Sequence, residues 1–461
     1  MKKFLHSRFV SEYGSVFVLL ILCAYYSAAT VAEQNPITPR AGRDLARAIV
    51  SEHGDGASVL IVVRDTNQDR EFAAAIRREL EAAGATVLAT VAGDPSSARQ
   101  ALEKVGTDGS RLDAIATHHP GSVWGPLETD RLAQLAGRFP GLRDVRVHKP
   151  PSYTWPSFLT RENLLNVVNQ NADIAIIAIG MTLVIITAGI DLSVGSLLAF
   201  AGVMTAVAIQ QLAGGASATT LGMIGGSLVG IGLCALLGTF SGCMVTIFRV
   251  PAFVVTLGMM MVARGLALII AVRHQSGLVG GATEGTPEAV KIEAVSFEWL
   301  GNGELLGIPN PIVLMVFLYV VAHIVMSRTS FGRYVYAVGG NAEAARLSGV
   351  PVVGVLIVVY AVCGAMAGLA GVVDASRFEG GRPNGGELYE LRVIAAVVVG
   401  GTSLAGGEGR IFGTLIGALI IAVIQNGLNM AGVKSYEQKV VFGLLILAAV
   451  LVDQLKKRKK T

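Results

Sequence analysis

Charged residues are scarce in this chain of 461 residues. Asp, Glu, Lys and Arg together make up 15% of it, whereas apolar residues make up 52%. Soluble domains carry about a quarter charged residues, so this shortage argues against a soluble protein. It favours a protein that crosses a membrane several times.

Cysteine occurs only four times, at Cys23, Cys234, Cys243 and Cys363. All four lie inside apolar stretches, and the polar region 33–157 contains none. This distribution excludes a disulfide framework for the polar region.

The sequence also lacks the common signatures of catalysis. It contains no G-x-x-x-x-G-K-[ST] phosphate loop, zinc-spaced His/Cys cluster or dinucleotide fingerprint. We therefore expect no enzyme activity and no cofactor in this chain, and no binding or hydrolysis of ATP. The net charge is +4, and much of the positive charge lies in the basic tail 456–460, which follows an apolar run. We expect this tail to anchor the chain at the membrane surface, and we expect no binding of nucleic acid.

Long apolar runs are the main feature of the chain, and a helix of about 20 apolar residues spans a bilayer. They predict an all-α polytopic membrane protein with a small α/β domain inserted after the first span. The domains expected are a first transmembrane helix in 1–32, an α/β domain with its linker in 33–157, and a transmembrane domain in 158–461. About ten spans are predicted, at 14–32, 172–190, 193–211, 220–247, 252–271, 311–326, 352–373, 391–405, 411–430 and 438–455.

Basic residues predict the orientation of these spans. They cluster before the first span, between the sixth and seventh, and after the tenth, so with ten spans all clusters fall on one side. The positive-inside rule makes that side cytoplasmic. We expect a bacterial inner-membrane protein with both termini in the cytoplasm and residues 33–157 in the periplasm. The first span is alternatively a signal peptide, with Lys2 and Lys3 before it and Ala28 and Ala32 near its end.

The polar region alternates strand and helix patterns. Strands are predicted at 58–64, 85–92, 112–118 and 143–148, and helices at 70–84, 94–105 and 126–138. Such alternation indicates a parallel sheet with helices on its faces. The region resembles one lobe of a ribose-type periplasmic sugar-binding protein, in the progression around GDPSSARQALEKV. His118 and His119 follow the third strand, where we expect a solvated loop pair, with a metal or ligand role as the alternative.

Four separated segments resemble, in order, the motifs of permease subunits of ribose-type ABC sugar importers. The resemblance runs from Ser157 to the last span, and the polar insert is its one departure, since that family usually has a short loop there. It implies a homodimer in membrane lipid that works with a separate ATPase, which binds ATP and Mg²⁺, and with a periplasmic sugar-binding protein. The segments are GMTLVIITAGIDLSVGSLLAFAGV (180–203), VPAFVVTLGMMMVARGLAL (250–268), FGRYVYAVGGNAEAARLSGV (331–350) and VVVGGTSLAGGEGRIFGTLIGALIIAVIQNGLNMAGV (397–433).

Asp191, in GIDLSVGS (189–196), is a carboxylate between two apolar runs. A charge at the bilayer centre costs about 2.5–3.5 kcal/mol on insertion scales, and a helix break relieves this. Gly189 lets one span end, and Asp191 then caps the next by accepting an N–H from Ser193 or Val194. Gly195 has no side chain, so a neighbouring backbone segment can approach it closely. Contact with the solute and a gating or ion-pair role are the alternatives for Asp191.

A second glycine-rich break lies at 400–410, in GGTSLAGGEGR. Paired interruptions in two halves of a transporter indicate the translocation site, so we expect the path to form from 172–211 and 391–430, near the cytoplasmic half. The candidate residues of this second break are Gly400, Gly401, Thr402, Ser403 and Gly406.

Arg264 and Arg392 are the other charges at or near spans. Such residues usually face the bundle interior, and the nearest acidic candidates are Glu387 and Glu390, close to Arg392. A side chain that reaches the membrane surface is the alternative.

The segment GGNAEAARLSGVP (339–351) predicts a short helix capped by Asn341 and ended by Gly349. The resemblance implies that this helix docks into a groove of the ATPase. The candidate coupling residues are Gly332, Arg333, Asn341, Glu343, Ala344, Ala345, Arg346 and Gly349.

The function expected is therefore that of a permease for a small sugar, driven by a partner ATPase. The alternative is a membrane-bound sensor in which the polar region detects a ligand without transport. No kinase, cyclase or methyl-accepting segment follows the last span, which weakens that alternative.

Overall fold

The computed structural model describes residues 8–279 and 287–458. Within it the chain forms two compact units, Val31–Ser157 and the combination of Met1–Thr30 with Phe158–Thr461. Lys2, Lys3, Lys459 and Lys460, on which part of the predicted orientation depends, lie outside the described residues.

Helices occupy most of the second of these units, which we call the transmembrane unit, and alternate with strands in the first, the α/β unit. In chain order they are α1 (Arg8–Ala29), α2 (Pro39–His53), α3 (Asn67–Ala82), α4 (Pro95–Thr107), α5 (His119–Ser122), α6 (Thr129–Arg138), α7 (Arg161–Gln170), α8 (Ala172–Ile186), α9 (Val194–Leu212), α10 (Thr220–Thr246), α11 (Ala252–Val279), α12 (Glu298–Asn302), α13 (Asn310–Arg328), α14 (Ser330–Gly340), α15 (Ala342–Leu347), α16 (Val352–Arg377), α17 (Tyr389–Val399), α18 (Ile411–Met430) and α19 (Ser435–Arg458).

Strands are short outside the α/β unit. They are β1 (Val31–Gln34), β2 (Ser58–Arg64), β3 (Thr86–Gly93), β4 (Ala114–Thr117), β5 (Arg146–His148), β6 (Tyr153–Pro156), β7 (Val290–Lys291), β8 (Glu304–Leu305), β9 (Ile308–Pro309) and β10 (Gly380–Gly381).

The predicted count of ten spans is not confirmed. Among the described residues, six helices are long and apolar enough to cross a membrane, by length and composition alone. The number rises to seven if α7 and α8, which meet at a bend of 45°, form one broken span. The six are α9, α10, residues Ala252–His274 of α11, α13, α16 and α18. The chain is therefore a helical polytopic membrane protein.

The span predicted at 391–405 is wrong as a whole crossing. Its helix, α17, has 11 residues, and at 1.5 Å per residue it covers about 16 Å, roughly half of the hydrocarbon thickness. The helix stops because Gly400 and Gly401 follow Val399, and Gly401 has φ +94°. The apolar run thus continues past the end of the helix.

Small residues let the long helices of the transmembrane unit approach closely. On α10, a side chain at Gly230 would lie 2.8 Å from the carbonyl oxygen of Ala201 in α9. On another side of α10, a side chain at Gly242 would lie 2.9 Å from Cα of Ile357 in α16. Close backbone contact of this kind is the usual means of helix association in lipid.

The α/β unit contains a parallel four-stranded sheet in the order β3-β2-β4-β5. All five central residues of β2 are buried, and two separate apolar clusters cover the two faces of the sheet. The predicted strands and helices lie within a few residues of these elements, whereas α2 was not predicted. At the ends of the unit, β1 pairs with β6 in antiparallel register, with Val31 opposite Pro156.

The prediction that His118 belongs to a solvated loop pair is wrong. Its side chain is completely buried. Nδ1 accepts a hydrogen bond of 2.8 Å from the amide of Gly121, which caps α5, and Nε2 lies 3.3 Å from Oδ2 of Asp69. His118 therefore has a structural role, at the carboxyl end of strand β4 and the start of helix α5.

Candidate functional site

The first break separates α8 from α9 and comprises residues 187–193. Ala188, with φ +61°, makes the left-handed turn that ends α8, so the turn falls one residue before Gly189. Gly189 is required for another reason, because a side chain there would lie 2.6 Å from the hydroxyl of Tyr360 in α16. Residues 190–192 have no regular secondary structure and lead to Ser193, which directly precedes α9.

Asp191 orders this connecting segment through its hydrogen bonds. Its Oδ1 accepts hydrogen bonds from the amide of Ser193 at 2.9 Å and from the Ser193 hydroxyl at 2.6 Å. Ser193 is one of the two predicted donors, but the prediction that Asp191 caps α9 is wrong, because Ser193 itself occupies the N-cap position and that helix start has no side-chain cap. The carboxylate is completely buried, and its other oxygen, Oδ2, has no hydrogen-bond partner within the described part of the chain.

The second break, 400–410, depends on three glycines in left-handed conformations. Gly401, Gly406 and Gly407 have φ angles of +94°, +84° and +75°. Thr402 and Ser403 are buried, and the amide of Ser403 donates to the carbonyl of Glu408 at 3.0 Å. The break is therefore a compact, ordered loop.

The second break packs tightly against the neighbouring helix α18. A side chain at Gly400 would lie 2.8 Å from the amide nitrogen of Thr414. Glycine at this position therefore permits close contact between the end of α17 and the start of α18.

The two breaks contact each other, and both contact α14. The amide of Gly407 donates to the carbonyl of Ile186 at 2.8 Å. A side chain at Gly339 in α14 would overlap the Ile186 carbonyl oxygen and lie 2.7 Å from the Gly407 nitrogen. The Tyr336 hydroxyl donates to the carbonyl of Gly409 at 2.8 Å. Gly339 and Gly407 were not predicted as site residues, although both lie within glycine-rich motifs.

The first turns of α9 and α17 adjoin. A side chain at Gly195 would overlap the carbonyl oxygen of Gly386 and lie 2.8 Å from Oε2 of Glu390. Leu388, with φ +61°, ends the loop that leads into α17. Two helix N-termini, each with a partial positive charge, therefore lie side by side near one carboxylate.

Arg264 holds the loop that enters α17. Its NH1 donates to the carbonyl oxygens of Pro383 at 2.8 Å and Gly385 at 2.7 Å, and Glu390 and Glu387 are the charges that act on it. These are the two acidic candidates that the sequence analysis named for the intramembrane arginines.

Arg392 lies beside uncharged groups of α18, α17 and α19. Its NH1 lies 3.4 Å from the Gln425 side-chain oxygen, and its guanidinium carbon lies 5.8 Å from the Tyr389 ring centroid and 5.5 Å from that of Phe442. Aromatic faces attract a guanidinium at such distances.

Two further ion pairs, which were not predicted, lie in the transmembrane unit, and the first of them is buried. Arg377 donates two hydrogen bonds to Asp173, of 2.9 and 3.1 Å, and the two side chains are 13% and 1% exposed. Arg382 pairs with Asp374 at 2.6 Å. Asp173 stands in the same apolar setting as Asp191, so the same reasoning would have identified it.

The predicted short helix forms at α15. The side chain of Asn341 accepts from the amide of Ala344 at 2.9 Å, and Gly349 has φ +84°. Arg346 and Glu343 pair at 2.6 Å across the exposed face, and this hydrogen bond lowers the pKa of Glu343 below its ordinary value. Ala345 is buried, whereas Ala344 is exposed.

Gly332 and Arg333 lie in the first turn of α14. The Thr329 side chain accepts from the amide of Gly332 at 3.3 Å. Arg333 donates to the hydroxyl of Ser330 at 2.9 Å. These bonds order the start of the helix that ends at Gly340, one residue before Asn341.

A bundle of apolar helices with paired, contacting breaks defines a membrane-embedded transport protein. Residues 163–450 match the family described as branched-chain amino acid transport system / permease component, and the chain belongs to this permease family.

Curated relatives are named as sugar permeases. The ribose import permease protein RbsC of Escherichia coli K12 is 45% identical over 305 residues, 65% of this chain and 88% of the relative. RbsC of Bacillus subtilis is 43% identical over 301 residues, 65% and 87% of the two chains. The D-allose transport system permease protein AlsC of E. coli K12 is 37% identical over 300 residues, 65% and 85%. No solved structure gives a significant match.

Proposed function

We propose that the chain is the permease subunit of an ABC importer that moves a small sugar across the bacterial inner membrane. It would act as a homodimer with a separate ATPase and a periplasmic sugar-binding protein. The relatives named for ribose and D-allose support this substrate class. The observation that carries the proposal is the contact of α14 with both helix breaks, because α14 ends where the α15 segment begins.

The partner ATPase would bind ATP and Mg²⁺ and displace α15, residues Ala342–Leu347. Asn341 caps α15 and directly follows α14, so a push on α15 would move α14. Gly339 contacts Ile186 and Gly407 without intervening side chains. A displacement of α14 would therefore reach both breaks, which would open or close the path.

The path itself would run beside the first turns of α9 and α17. Sugars present many hydroxyl groups, and a site that binds them supplies a few well-placed hydrogen-bonding groups on a mainly apolar surface. Glu390 near Gly195 supplies a carboxylate there, and Arg264 fixes the loop beside it. We assign Glu390 to the path, next to the predicted Gly195.

The α/β unit would lie in the periplasm, as one domain between the first and second membrane helices. Its parallel sheet is of the kind found in one lobe of a sugar-binding protein, so it would dock the binding protein or replace part of it. Deletion of residues 40–150 would then impair capture or transport. Unchanged uptake by the deletion variant would refute a role for this unit.

The proposed orientation is testable with single cysteines. In a background with the four native cysteines replaced by alanine, the changes Ser348→Cys, after α15, and Ser152→Cys, before β6, should place thiols on opposite sides of the membrane. A membrane-impermeant thiol reagent added to intact spheroplasts should label only position 152. Labelling of position 348 from outside would overturn the assignment.

Transport is tested in proteoliposomes that contain the chain with its ATPase. We expect inward movement of radiolabelled ribose or allose that requires both ATP and the binding protein. ATP-independent movement, or uptake without the binding protein, would contradict the proposed import cycle. A ligand sensor without transport finds no support in the three relatives reported above, which are named as permeases.

A further inference from the structure

The α/β unit contains a cluster of three metal-ligating side chains that the transport function does not use. Glu52 and His53 end helix α2, and His148 ends strand β5. One ligand atom from each residue lies within 4.8 Å of the other two. The cluster is far along the chain from every proposed transport residue.

The two imidazoles point at each other. Nε2 of His53 lies 3.0 Å from Nε2 of His148. Zn–N bonds of about 2.0–2.1 Å at tetrahedral angles separate two ligand nitrogens by about 3.3–3.4 Å. Small rotations of the two rings would lengthen the Nε2–Nε2 distance by a few tenths of an ångström. A metal ion could then bind both nitrogens.

Glu52 completes the set with an oxygen ligand. One of its carboxylate oxygens lies within 4.8 Å of a ring nitrogen of each histidine, and its Oε1 accepts a hydrogen bond of 2.5 Å from NH1 of Arg146. A carboxylate that ligates a metal is commonly oriented in this way by a hydrogen bond to its other oxygen. Arg146 would be such an orienting residue.

The chemistry of these ligands selects the ion. Two imidazoles and one carboxylate suit Zn²⁺ and similar transition metals, whereas Ca²⁺ and Mg²⁺ prefer oxygen ligands throughout. Three protein ligands leave one position of a tetrahedral ion for water. Glu52 is exposed and both histidines are partly exposed, so an ion from solution could enter.

We propose that Glu52, His53 and His148 form a binding site for a divalent transition metal ion, with Zn²⁺ as the preferred occupant and water as the fourth ligand. A bound ion would join the end of α2 to strand β5, across the edge of the sheet. It would therefore stabilise the α/β unit.

The test uses the full-length protein, purified without a histidine tag and treated with a chelator. Zinc binding is measured by isothermal titration calorimetry and by metal analysis after desalting. We expect one Zn²⁺ per chain, and a loss of affinity of about 10–100-fold or more for His148→Gln and for His53→Gln. In Glu52→Gln the loss should be smaller, because water can replace one carboxylate oxygen.

His119→Gln is the matched control. It changes another histidine of the same unit, whose Nε2 lies 2.9 Å from the carbonyl of Pro150, and the glutamine amide can still donate to that carbonyl. It should bind zinc like the unchanged protein. Equal losses in His119→Gln and His148→Gln would overturn the proposal, as would zinc binding that survives His53→Gln/His148→Gln.

A second measurement guards against a variant that fails to fold. X-ray absorption at the zinc edge of the unchanged protein should show nitrogen and oxygen neighbours at about 2.0–2.1 Å, with imidazole scattering from two rings. Absence of imidazole scattering would mean that the two histidines form only a direct hydrogen bond, which would refute the site.

Discussion

The amide of Gly407 donates a hydrogen bond of 2.8 Å to the carbonyl oxygen of Ile186. Ile186 is the last residue of α8, and the last carbonyl groups of a helix have no partner within the helix. A backbone amide of the second break therefore supplies the hydrogen bond that the carbonyl at the end of α8 lacks within its own helix. The two glycine-rich motifs are thus parts of one structure, and Gly339 of α14 lies against both.

Gly339→Ala should disrupt this junction. Its new methyl group would overlap the Ile186 carbonyl oxygen and lie 2.7 Å from the Gly407 nitrogen. Such overpacking costs about 1–3 kcal/mol, which outweighs the roughly 0.5–1 kcal/mol that alanine gains over glycine in a helix. We expect a lower midpoint of thermal unfolding in detergent and a loss of ATP-driven uptake.

Gly340→Ala is the matched control for this change. A side chain at Gly340 would meet nothing within 4 Å, so unfolding and uptake should be unchanged or slightly improved. Equal effects of the two substitutions would show that the close contact of Gly339 is unimportant.

Asp191→Ala should destabilise the first break. The change leaves the buried amide and hydroxyl of Ser193 without their acceptor, and an unsatisfied buried group costs about 1–3 kcal/mol. Asp191→Asn keeps an acceptor oxygen and should stay closer to the unchanged protein in thermal unfolding and uptake. If Asn abolishes uptake while stability is kept, the negative charge itself is required and a purely structural role is refuted.

The local structure of the coupling segment was predictable because it depends on neighbours in sequence. Asn341, α15 and Gly349 lie within nine residues, and caps and left-handed ends follow short-range rules. The same holds for the strands of the α/β unit, where β2 is a continuous apolar run. The partner of Arg392 was not predictable, because Gln425 and Phe442 are distant in sequence.

Helix lengths in the membrane were predicted poorly for a related reason. Apolar composition shows which residues avoid water, but it does not show where a helix stops. In α17 the helix ends at Gly400 and Gly401, and the close contact of Gly400 with Thr414 of α18 belongs to the tertiary packing. The junction of Ile186, Gly339 and Gly407 likewise joins three motifs that are separated by many residues.

The buried pair of Asp173 and Arg377 should show strong coupling in a double-mutant cycle. Removal of one partner leaves a buried charge and costs about 3–5 kcal/mol, whereas removal of both costs less. We expect Asp173→Ala and Arg377→Ala each to lower stability strongly, with the double variant less affected than the sum. Denaturation of the full-length protein in mixed micelles provides the measurement.

The exposed pair of Arg99 and Glu103, at 2.9 Å on α4, is the control for that cycle. Surface pairs contribute about 0–1 kcal/mol, so its coupling should be small. Coupling of the same size in both pairs would contradict the importance of burial.

The stability of the α/β unit should fall as the pH drops below neutral. Burial lowers the pKa of His118 below its ordinary value of 6.5. The negative charge of Asp69 raises this pKa, whereas the positive charge of Arg64 lowers it, and the net effect is a lower pKa. The unfolded chain therefore binds a proton at a higher pH than the folded chain. This contribution to stability is present above pH 6.5 and is lost as the pH falls through that value towards the folded pKa.

His118→Asn should flatten this pH dependence, because asparagine does not titrate and remains a good helix cap for α5. Resistance of β2 and β4 to limited proteolysis, compared at neutral and mildly acidic pH, reports the change. An identical acid sensitivity in the variant would show that another group causes it.

Asn341→Ala should uncouple ATP hydrolysis from transport. Loss of an N-cap costs about 0.5–2 kcal/mol, and α15 has only six residues, so it cannot form a stable helix by itself. We expect ATPase activity in the reconstituted complex to persist while sugar uptake falls. Asn341→Ser keeps a capping oxygen and should restore uptake, whereas failure of serine to restore it would mean that Asn341 acts through direct contact with the ATPase rather than through the helix.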